Sequence, residues 1–152
     1  MPGTVITYGT FDMFHVGHLR LLKRMAELGE RTIVGVSTDA FNERKGKKAL
    51  IPFEERKEII ESLRFVDLVI PEEGWNQKVS DIQLYGVQTF VMGDDWQGRF
   101  DSLKPYCEVV YLERTSGVSS TELRGSLSRL LSSEKEISDV LGLLRSLQRE
   151  LD

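Results

Sequence analysis

Short apolar stretches rich in β-branched residues alternate with longer segments of helical spacing along the first 112 residues. The apolar stretches predict five buried strands, at 4–8, 31–38, 66–71, 89–93 and 107–112. Between and after them, apolar residues recur at spacings of three and four. This pattern predicts helices over 17–28, 53–65 and 76–86 and from about Ser119 onward. The segment 42–52, which contains RKGKK, is predicted to be a basic loop.

The alternation of strands and helices predicts an α/β fold, with a parallel sheet and helices on both faces. In such sheets ligands bind at the carboxyl ends of the strands. Polar clusters follow four of the five predicted strands: GTFDMFH, STDAFNERKGKK, GDDW and ERTSGVSS. We therefore expect four separate segments to meet in one crevice.

The last part of the chain has a different pattern. A helical apolar stripe, interrupted around SSEKE, comprises Leu127, Leu130, Leu131, Ile137, Val140, Leu141, Leu144, Leu147 and Leu151. We therefore predict a domain over 1–125 and a C-terminal helical extension over 126–152. The stripe could pack on its own domain or on a partner subunit, and the pattern alone leaves both open.

Composition narrows the class of protein. The 152 residues suit one domain, with 40% hydrophobic and 29% charged residues as in ordinary globular proteins. No apolar run approaches the roughly 20 residues that span a membrane, and the first residues lack signal-peptide features. One cysteine suits a reducing cytoplasm, and a net charge of −4 argues against coating nucleic acid. Neither a membrane nor a nucleic acid is an expected partner.

Both histidines of the chain, His15 and His18, open a predicted helix directly after a strand. They could be structural residues, metal ligands or phosphate donors. A metal site needs a third ligand, and only Asp12 lies near in sequence. Backbone N–H groups and the helix dipole attract anions at this position, and Gly17 allows a ligand to approach closely. Phosphate binding is the favoured interpretation.

The segment ERTSGVSSTE follows the last predicted strand. Ser119 and Glu122 fit a capping box, while Gly117 permits a tight loop. Arg114 supplies a guanidinium fork suited to phosphate, and Ser119 and Thr121 supply hydroxyls. An ordinary helix cap is the alternative. Beside the histidines, the segment predicts a second wall of one phosphate site.

These segments carry a family resemblance. GTFDMFHVGH and ERTSGVSSTELR resemble the two signatures of the HxGH nucleotidyltransferases, with Val118 and Ser120 as mild departures. Segments over about 4–124, including KGKKA, WNQK and GDDWQGRFD, resemble the glycerol-3-phosphate cytidylyltransferase family. The resemblance implies a single-domain, Rossmann-like, doubly wound parallel sheet of five strands. It also implies conversion of CTP and sn-glycerol 3-phosphate to CDP-glycerol and diphosphate, for teichoic-acid or related polymer synthesis.

The resemblance also assigns roles. It implies His15, His18 and Arg114 as catalytic residues, and Lys45, Lys78, Asp12 and Trp75 as substrate-binding residues. It implies nucleotide contacts from Thr10, Phe11, His15, His18, Lys47, Asp95, Arg114, Thr115, Gly117, Ser119 and Thr121. It implies Mg²⁺ held through the CTP phosphates, with no metal-ligating side chain, and a homodimer. A solvated loop is the simpler explanation of RKGKK, and a turn closed by Trp96 that of GDDW.

Two other functions fit the first signature. One is a different cytidylyl- or adenylyltransferase, such as an FAD synthase-like enzyme, and the other is a nucleotide-binding regulatory module without turnover. WNQK and GDDWQGRFD favour glycerol phosphate over the first, and the intact cations favour an enzyme over the second. A Rossmann dehydrogenase is disfavoured, because no G-x-G-x-x-G follows the first strand.

Overall fold

The computed structural model describes residues 3–114 and 120–151, without the side chains of 120–124 and 151. The chain divides into two compact units, Met1–Gly117 and Val118–Asp152. The division we predict, between residues 125 and 126, stays a prediction. The first unit contains the whole sheet, and the second contains the C-terminal helix.

Five parallel strands form the sheet. They are β1 (Thr4–Gly9), β2 (Arg31–Ser37), β3 (Leu68–Glu72), β4 (Val87–Gly93) and β5 (Glu108–Leu112). Their order is β3-β2-β1-β4-β5, so the chain winds outward from β1 to one edge and then returns to build the other. The prediction of a Rossmann-like doubly wound sheet is confirmed. Between β1 and β4 lies the switch point where such sheets bind ligands.

Five helices accompany the strands: α1 (Val16–Ala26), α2 (Asp39–Arg44), α3 (Phe53–Glu61), α4 (Gln77–Tyr85) and α5 (Ser120–Leu151). Two 3₁₀ turns, at Asp94–Trp96 and Asp101–Leu103, follow β4. Within 3–114 and 120–151, no helix has both the length and the apolar character needed to cross a membrane.

One detail of the predicted elements is wrong. The basic loop does not begin at residue 42, because α2 covers Asp39–Arg44. The Thr38 hydroxyl caps this short helix by accepting from the Phe41 N–H at 3.1 Å, and the Phe41 ring is buried. Helix α5 runs unbroken through SSEKE. Polar residues interrupt the apolar stripe there without interrupting the helical backbone.

The core lies on both sides of β1, because side chains along a strand alternate between the faces of a sheet. Val5 points into one cluster, which Leu22 and Met25 of α1 and Ile60 of α3 complete. Its neighbour Ile6 points into a second cluster on the opposite face, together with residues of α4 and of the second 3₁₀ turn. Helices therefore cover both faces, as predicted.

The fully buried guanidinium of Arg56, in α3, joins the carboxyl ends of the two central strands. Nη1 donates to the carbonyls of Thr10, after β1, at 2.8 Å and of Ser37, at the end of β2, at 2.7 Å. Nε donates to the Ile51 carbonyl at 2.8 Å, and Nη2 pairs with Asp39 at 2.7 Å. One side chain thereby fixes three loops that border the crevice. Sequence reasoning did not single out this arginine.

We predict that Arg56→Met lowers the free energy of unfolding by about 3–5 kcal/mol, because it leaves buried carbonyls without a donor. Lys57→Met is the matched control, since Lys57 is more exposed and pairs only with Glu61, at 3.5 Å. It should change stability by less than about 0.5 kcal/mol. Urea denaturation measures both. Equal losses for the two variants would contradict a clamp at Arg56.

Candidate functional site

The two histidines cap helix α1 and each other. His15 is the N-cap residue, and its Nδ1 accepts from the Gly17 N–H at 3.0 Å. His18 closes the reciprocal half of a capping box, since its Nδ1 accepts from the His15 N–H at 3.2 Å. The rings stack with centroids 3.9 Å apart. The sequence spacing placed both residues at the helix start, and the structure adds that they support it.

This capping fixes the tautomer of both rings. A nitrogen that accepts from a backbone N–H carries no proton, so each neutral imidazole has its proton on Nε2. Within the described residues, the buried Nε2 of His15 has no hydrogen-bond partner. A buried donor without a partner is costly unless a ligand supplies the acceptor. The pair is therefore suited to donate N–H groups to an anion at the end of β1.

Burial keeps both imidazoles neutral. Burial is the main cause that lowers the pKa of His18 to about 4, and nearby His15 and Arg114 add to it against an opposing effect of Asp12. Phe11 and Phe14 pack against the His18 ring at 5.6 and 5.5 Å between centroids. Burial and then Arg114 also lower the pKa of His15. Neutral rings cannot act as acids at neutral pH without first gaining a proton.

The turn that leads from β1 into α1 is strained and anchored. Phe11 and Met13 adopt positive φ angles of 52° and 49°, a region that non-glycine residues enter at a cost. Between them, the buried carboxylate of Asp12 accepts from the N–H groups of Leu50 at 2.9 Å and Ile51 at 3.0 Å. Asp12 therefore holds the turn in place. Its substrate-binding role stays a prediction.

Arg114 and Asp95 lie near one another after the strands on the other side of the switch point. Asp95 follows β4, Arg114 follows β5, and their side chains approach to 3.7 Å while about half exposed. Gly93 makes room for this pair, because a Cβ there would lie 2.7 Å from Asp95 Oδ1. The guanidinium is close enough to lower the pKa values of both histidines.

Several predicted nucleotide contacts cannot be placed. Thr115, Gly117 and Ser119 lie outside the described residues, and Thr121 belongs to α5 with its side chain outside the described part. Their roles stay predictions. Thr10 and Phe11 both lie in the strained turn beside the histidines.

Beyond the end of β2, Lys45 lies among aromatic rings. Its Nζ is 4.2 Å from the centroid of Phe41 and 5.6 Å from that of Trp75. It also donates to the Ser37 hydroxyl at 3.4 Å. Partial burial is the main cause that lowers its pKa, with Glu72 opposing and Lys47 contributing. Such a partly dehydrated cation attracts an anionic substrate strongly.

Lys78 joins the same group from α4, but it is already paired. Its buried Nζ lies 2.8 Å from the Glu72 carboxylate and 5.7 Å from the Trp75 ring. The other carboxylate oxygen of Glu72 accepts from the Ser37 hydroxyl at 2.6 Å. The structure thus brings together the predicted residues Lys45, Lys78 and Trp75, and adds Glu72. Sequence reasoning missed this acid, although it directly follows an apolar strand and precedes a lysine by six residues.

Two cavities are lined in part by lysines of the predicted site, Lys78 in one and Lys47 in the other. One of about 310 Å³ is lined by Trp75, Lys78, Arg99 and Phe100, among others, and combines cations with aromatic rings. The other, of about 420 Å³, is lined by Lys47, Lys48 and the acids Asp39 and Glu43, among others. Lys47 is exposed. The first cavity has the chemistry expected for a small phosphorylated molecule.

A second missed residue is Asn42 of α2. Its side chain is buried, and its Oδ1 accepts from the Thr10 hydroxyl at 3.1 Å. Within the described part of the chain, its Nδ2 has no hydrogen-bond partner. Asn42 therefore orients Thr10 towards the strained turn. An asparagine inside a polar segment gives no sequence signal for such a contact.

The described side chains suit an anion better than a protein-bound metal ion. No three of their His, Cys, Asp and Glu side chains, within 3–114 and 120–151, lie close enough to hold a metal. The histidine Nε2 atoms carry protons and so offer no lone pair to a cation. A magnesium ion that arrives with a triphosphate would be compatible with this donor set, since Mg²⁺ keeps phosphate and water ligands.

The lowered pKa of His18 predicts a pH effect on stability. Between pH 6.5 and about 4 the unfolded chain binds the proton that folded His18 refuses, so the free energy of unfolding falls as pH falls. Urea denaturation at pH 7 and pH 5 should show this loss, and it should be smaller in His18→Gln. An identical pH dependence in both proteins would show that His18 is not the cause.

Comparison with known proteins places the chain among nucleotide-transferring enzymes. The cytidylyltransferase-like family model matches residues 6–126. A glycerol-3-phosphate cytidylyltransferase from Bacillus spizizenii is 55% identical over 126 residues, which are 83% of this chain and 98% of the relative. One from Staphylococcus aureus is 54% identical over 123 residues, covering 81% of this chain and 93% of the relative.

A solved structure shares the fold. The lipopolysaccharide core biosynthesis protein from Thermoplasma volcanium has a TM-score of 0.64 at 21% identity, covering 76% of this chain and 100% of that one. At that identity the likeness concerns the fold alone. Because the family model matches most of the chain and the relatives are highly identical to it, the chain belongs to the cytidylyltransferase-like family.

Proposed function

We propose that this protein is a glycerol-3-phosphate cytidylyltransferase, which converts CTP and sn-glycerol 3-phosphate to CDP-glycerol and diphosphate. The observation that carries the proposal is the stacked, mutually capped pair His15 and His18, with proton-bearing Nε2 atoms at the switch point of the sheet. The names of the relatives support the choice of CTP and glycerol 3-phosphate.

The reaction is an in-line displacement at the α-phosphorus of CTP. A phosphate oxygen of glycerol 3-phosphate forms the new P–O bond, and the bond to the β-phosphate breaks to release diphosphate. The nucleophile is already an anion and needs no general base. Catalysis then depends on positioning and on stabilising charge, which are the main contributions in phosphoryl transfer.

His15 and His18 donate hydrogen bonds from their Nε2–H groups to the phosphate oxygens as charge develops there. Donors that are fixed beforehand stabilise a transition state without reorganisation, and loss of one such donor commonly costs on the order of 10²–10³ in rate. The N-terminus of α1 adds its positive dipole. Arg114, at the end of β5, contributes a full positive charge to the same region.

The acceptor binds on the other side of the crevice, beyond β2. Lys45 is the cation that contacts its phosphate, since among the described residues its Nζ has only a long hydrogen bond of 3.4 Å to Ser37. Lys78 is neutralised by Glu72 and holds that acid in place. Glu72 in turn fixes Ser37, and the exposed ring of Trp75 forms the outer wall. Lys45 and Lys78 therefore have different roles in this proposal, although the sequence analysis assigns both to the same substrate.

The phosphates of CTP, rather than a side chain, would hold a Mg²⁺ ion, which would reduce the charge repulsion between the two substrates. We further propose that the protein is a homodimer, that it works in the cytoplasm where CTP is made, and that its product feeds a glycerol-phosphate polymer. These proposals rest on the family resemblance and on the chemistry of the substrates.

A diphosphate-release assay with a panel of nucleotides and acceptors tests the function. We expect turnover with CTP, Mg²⁺ and sn-glycerol 3-phosphate, at least about 100-fold above the rates with ATP and FMN or with phosphoethanolamine. A preference for ATP and FMN would make the protein an FAD synthase-like enzyme instead. Binding of CTP without turnover on any acceptor would favour a regulatory module.

Lys45→Met should raise the KM for glycerol 3-phosphate about tenfold or more, with a much smaller change in the KM for CTP. The reason is that Lys45 is the partly dehydrated cation nearest to Trp75 without an acidic partner of its own in the described residues. Lys57→Met is the control and should leave both constants within about twofold. A larger effect on CTP than on glycerol 3-phosphate would move Lys45 to the nucleotide side.

A further inference from the structure

Helix α5 exposes a broad apolar surface. Among its large apolar side chains, Leu130 is 65% exposed, Ile137 60%, Leu144 56% and Leu147 56%. Leu131, Val140, Leu141 and Leu143 are also exposed. Single exposed apolar residues are normal on protein surfaces, but a contiguous patch marks an interaction surface. The family model ends at residue 126, so this surface belongs to a segment that the family match does not cover.

The composition of α5 indicates that the helix needs a partner. Gly125 and Gly142 lie inside it, and each costs about 1 kcal/mol relative to alanine. The helix contains seven serines, of which Ser120 is the first and Ser146 the last, and serine is a weaker helix former than alanine. Most helical stability in proteins comes from packing of an apolar face. The exposed stripe is the face available for that packing.

A strict seven-residue repeat identifies the kind of partner. Positions 123, 130, 137, 144 and 151 are all Leu or Ile. With these as heptad position a, Val140 and Leu147 occupy d in the last two heptads, whereas Ser126 and Ser133 occupy d in the first two. Both glycines fall at outer positions, c and f. A seven-residue period matches a left-handed supercoil of two helices rather than a straight helix on a globular surface.

The charges indicate how the helices pair. In this register Arg129 is at g and Glu134 at the following e, the two positions that meet across a parallel two-stranded coiled coil. Within one helix, residues five apart lie about 140° apart around the axis and cannot meet. In the single chain, Arg129 instead donates to the Ser126 hydroxyl at 3.2 Å. Two copies in parallel would form this charge pair twice.

We propose that α5 pairs in parallel with α5 of a second copy of this chain, as a two-stranded coiled coil with Leu130, Ile137 and Leu144 along its seam. The 32-residue helix is about 48 Å long and spans more than four heptads, of which the last two have apolar residues at both a and d. The inference does not depend on the proposed function.

Disulfide trapping tests the pairing directly in the full-length protein. In a Cys107→Ser background, Leu144→Cys places a thiol at the seam, and Ser146→Cys places one at outer position c two residues away. Mild oxidation should cross-link two copies through position 144 at least about tenfold faster than through position 146, because only seam positions face their own copies in a parallel pair. Equal rates, or none at position 144, would overturn the proposal, including the case in which α5 packs within its own chain.

Charge exchange gives an independent readout. Arg129→Glu and Glu134→Arg should each slow trapping at position 144 about fivefold to tenfold, because each converts the attractive contacts to repulsive ones. The double variant should restore the rate to within about twofold. Ile137→Asp should abolish trapping, while Ser138→Asp, its outward neighbour, should not. Failure of the double variant to recover would overturn the parallel register.

Discussion

The buried guanidinium of Arg56 is the interaction on which the crevice depends. Parallel strands of a doubly wound sheet end together, but the regular hydrogen bonding of the sheet does not continue into the loops after them. Arg56 supplies donors to three of those loops at once, and Asp39 balances its charge. The strained turn after β1 can persist because Arg56 holds its first carbonyl and Asp12 holds its middle.

The two sides of the crevice use different electrostatics. At the end of β1 the cap of a helix presents neutral N–H donors, with a full positive charge added only from β5. Beyond β2 the cations lie among aromatic rings, and a buried acid, Glu72, pairs with Lys78. The first arrangement suits charge that appears during a reaction, and the second suits charge that a substrate already carries. Two polyanions can thus approach one another without a single large positive field that would hold the products.

Periodicity predicted most of the fold, and residue type predicted much of the site. All five strands and the longer helices follow from apolar spacing, but α2 is too short to show a period and depends on the Thr38 cap and the burial of Phe41. The histidines stood out because they open a helix after a strand. Arg56, Glu72 and Asn42 did not, because their importance comes from contacts with residues 5 to 46 positions away. Long-range pairing of this kind leaves no local pattern.

Catalytic groups are often held at a cost to the fold, so that stability and activity oppose one another. The capping box of α1 reverses that relation, because the imidazoles that present their protons to the crevice also satisfy the first N–H groups of the helix. A substitution at either position weakens the helix start together with the chemistry. Selection for a folded protein alone would therefore tend to retain the histidine pair. Evolution of a new activity on this scaffold is accordingly easier at the Lys45 side of the crevice than at the helix cap.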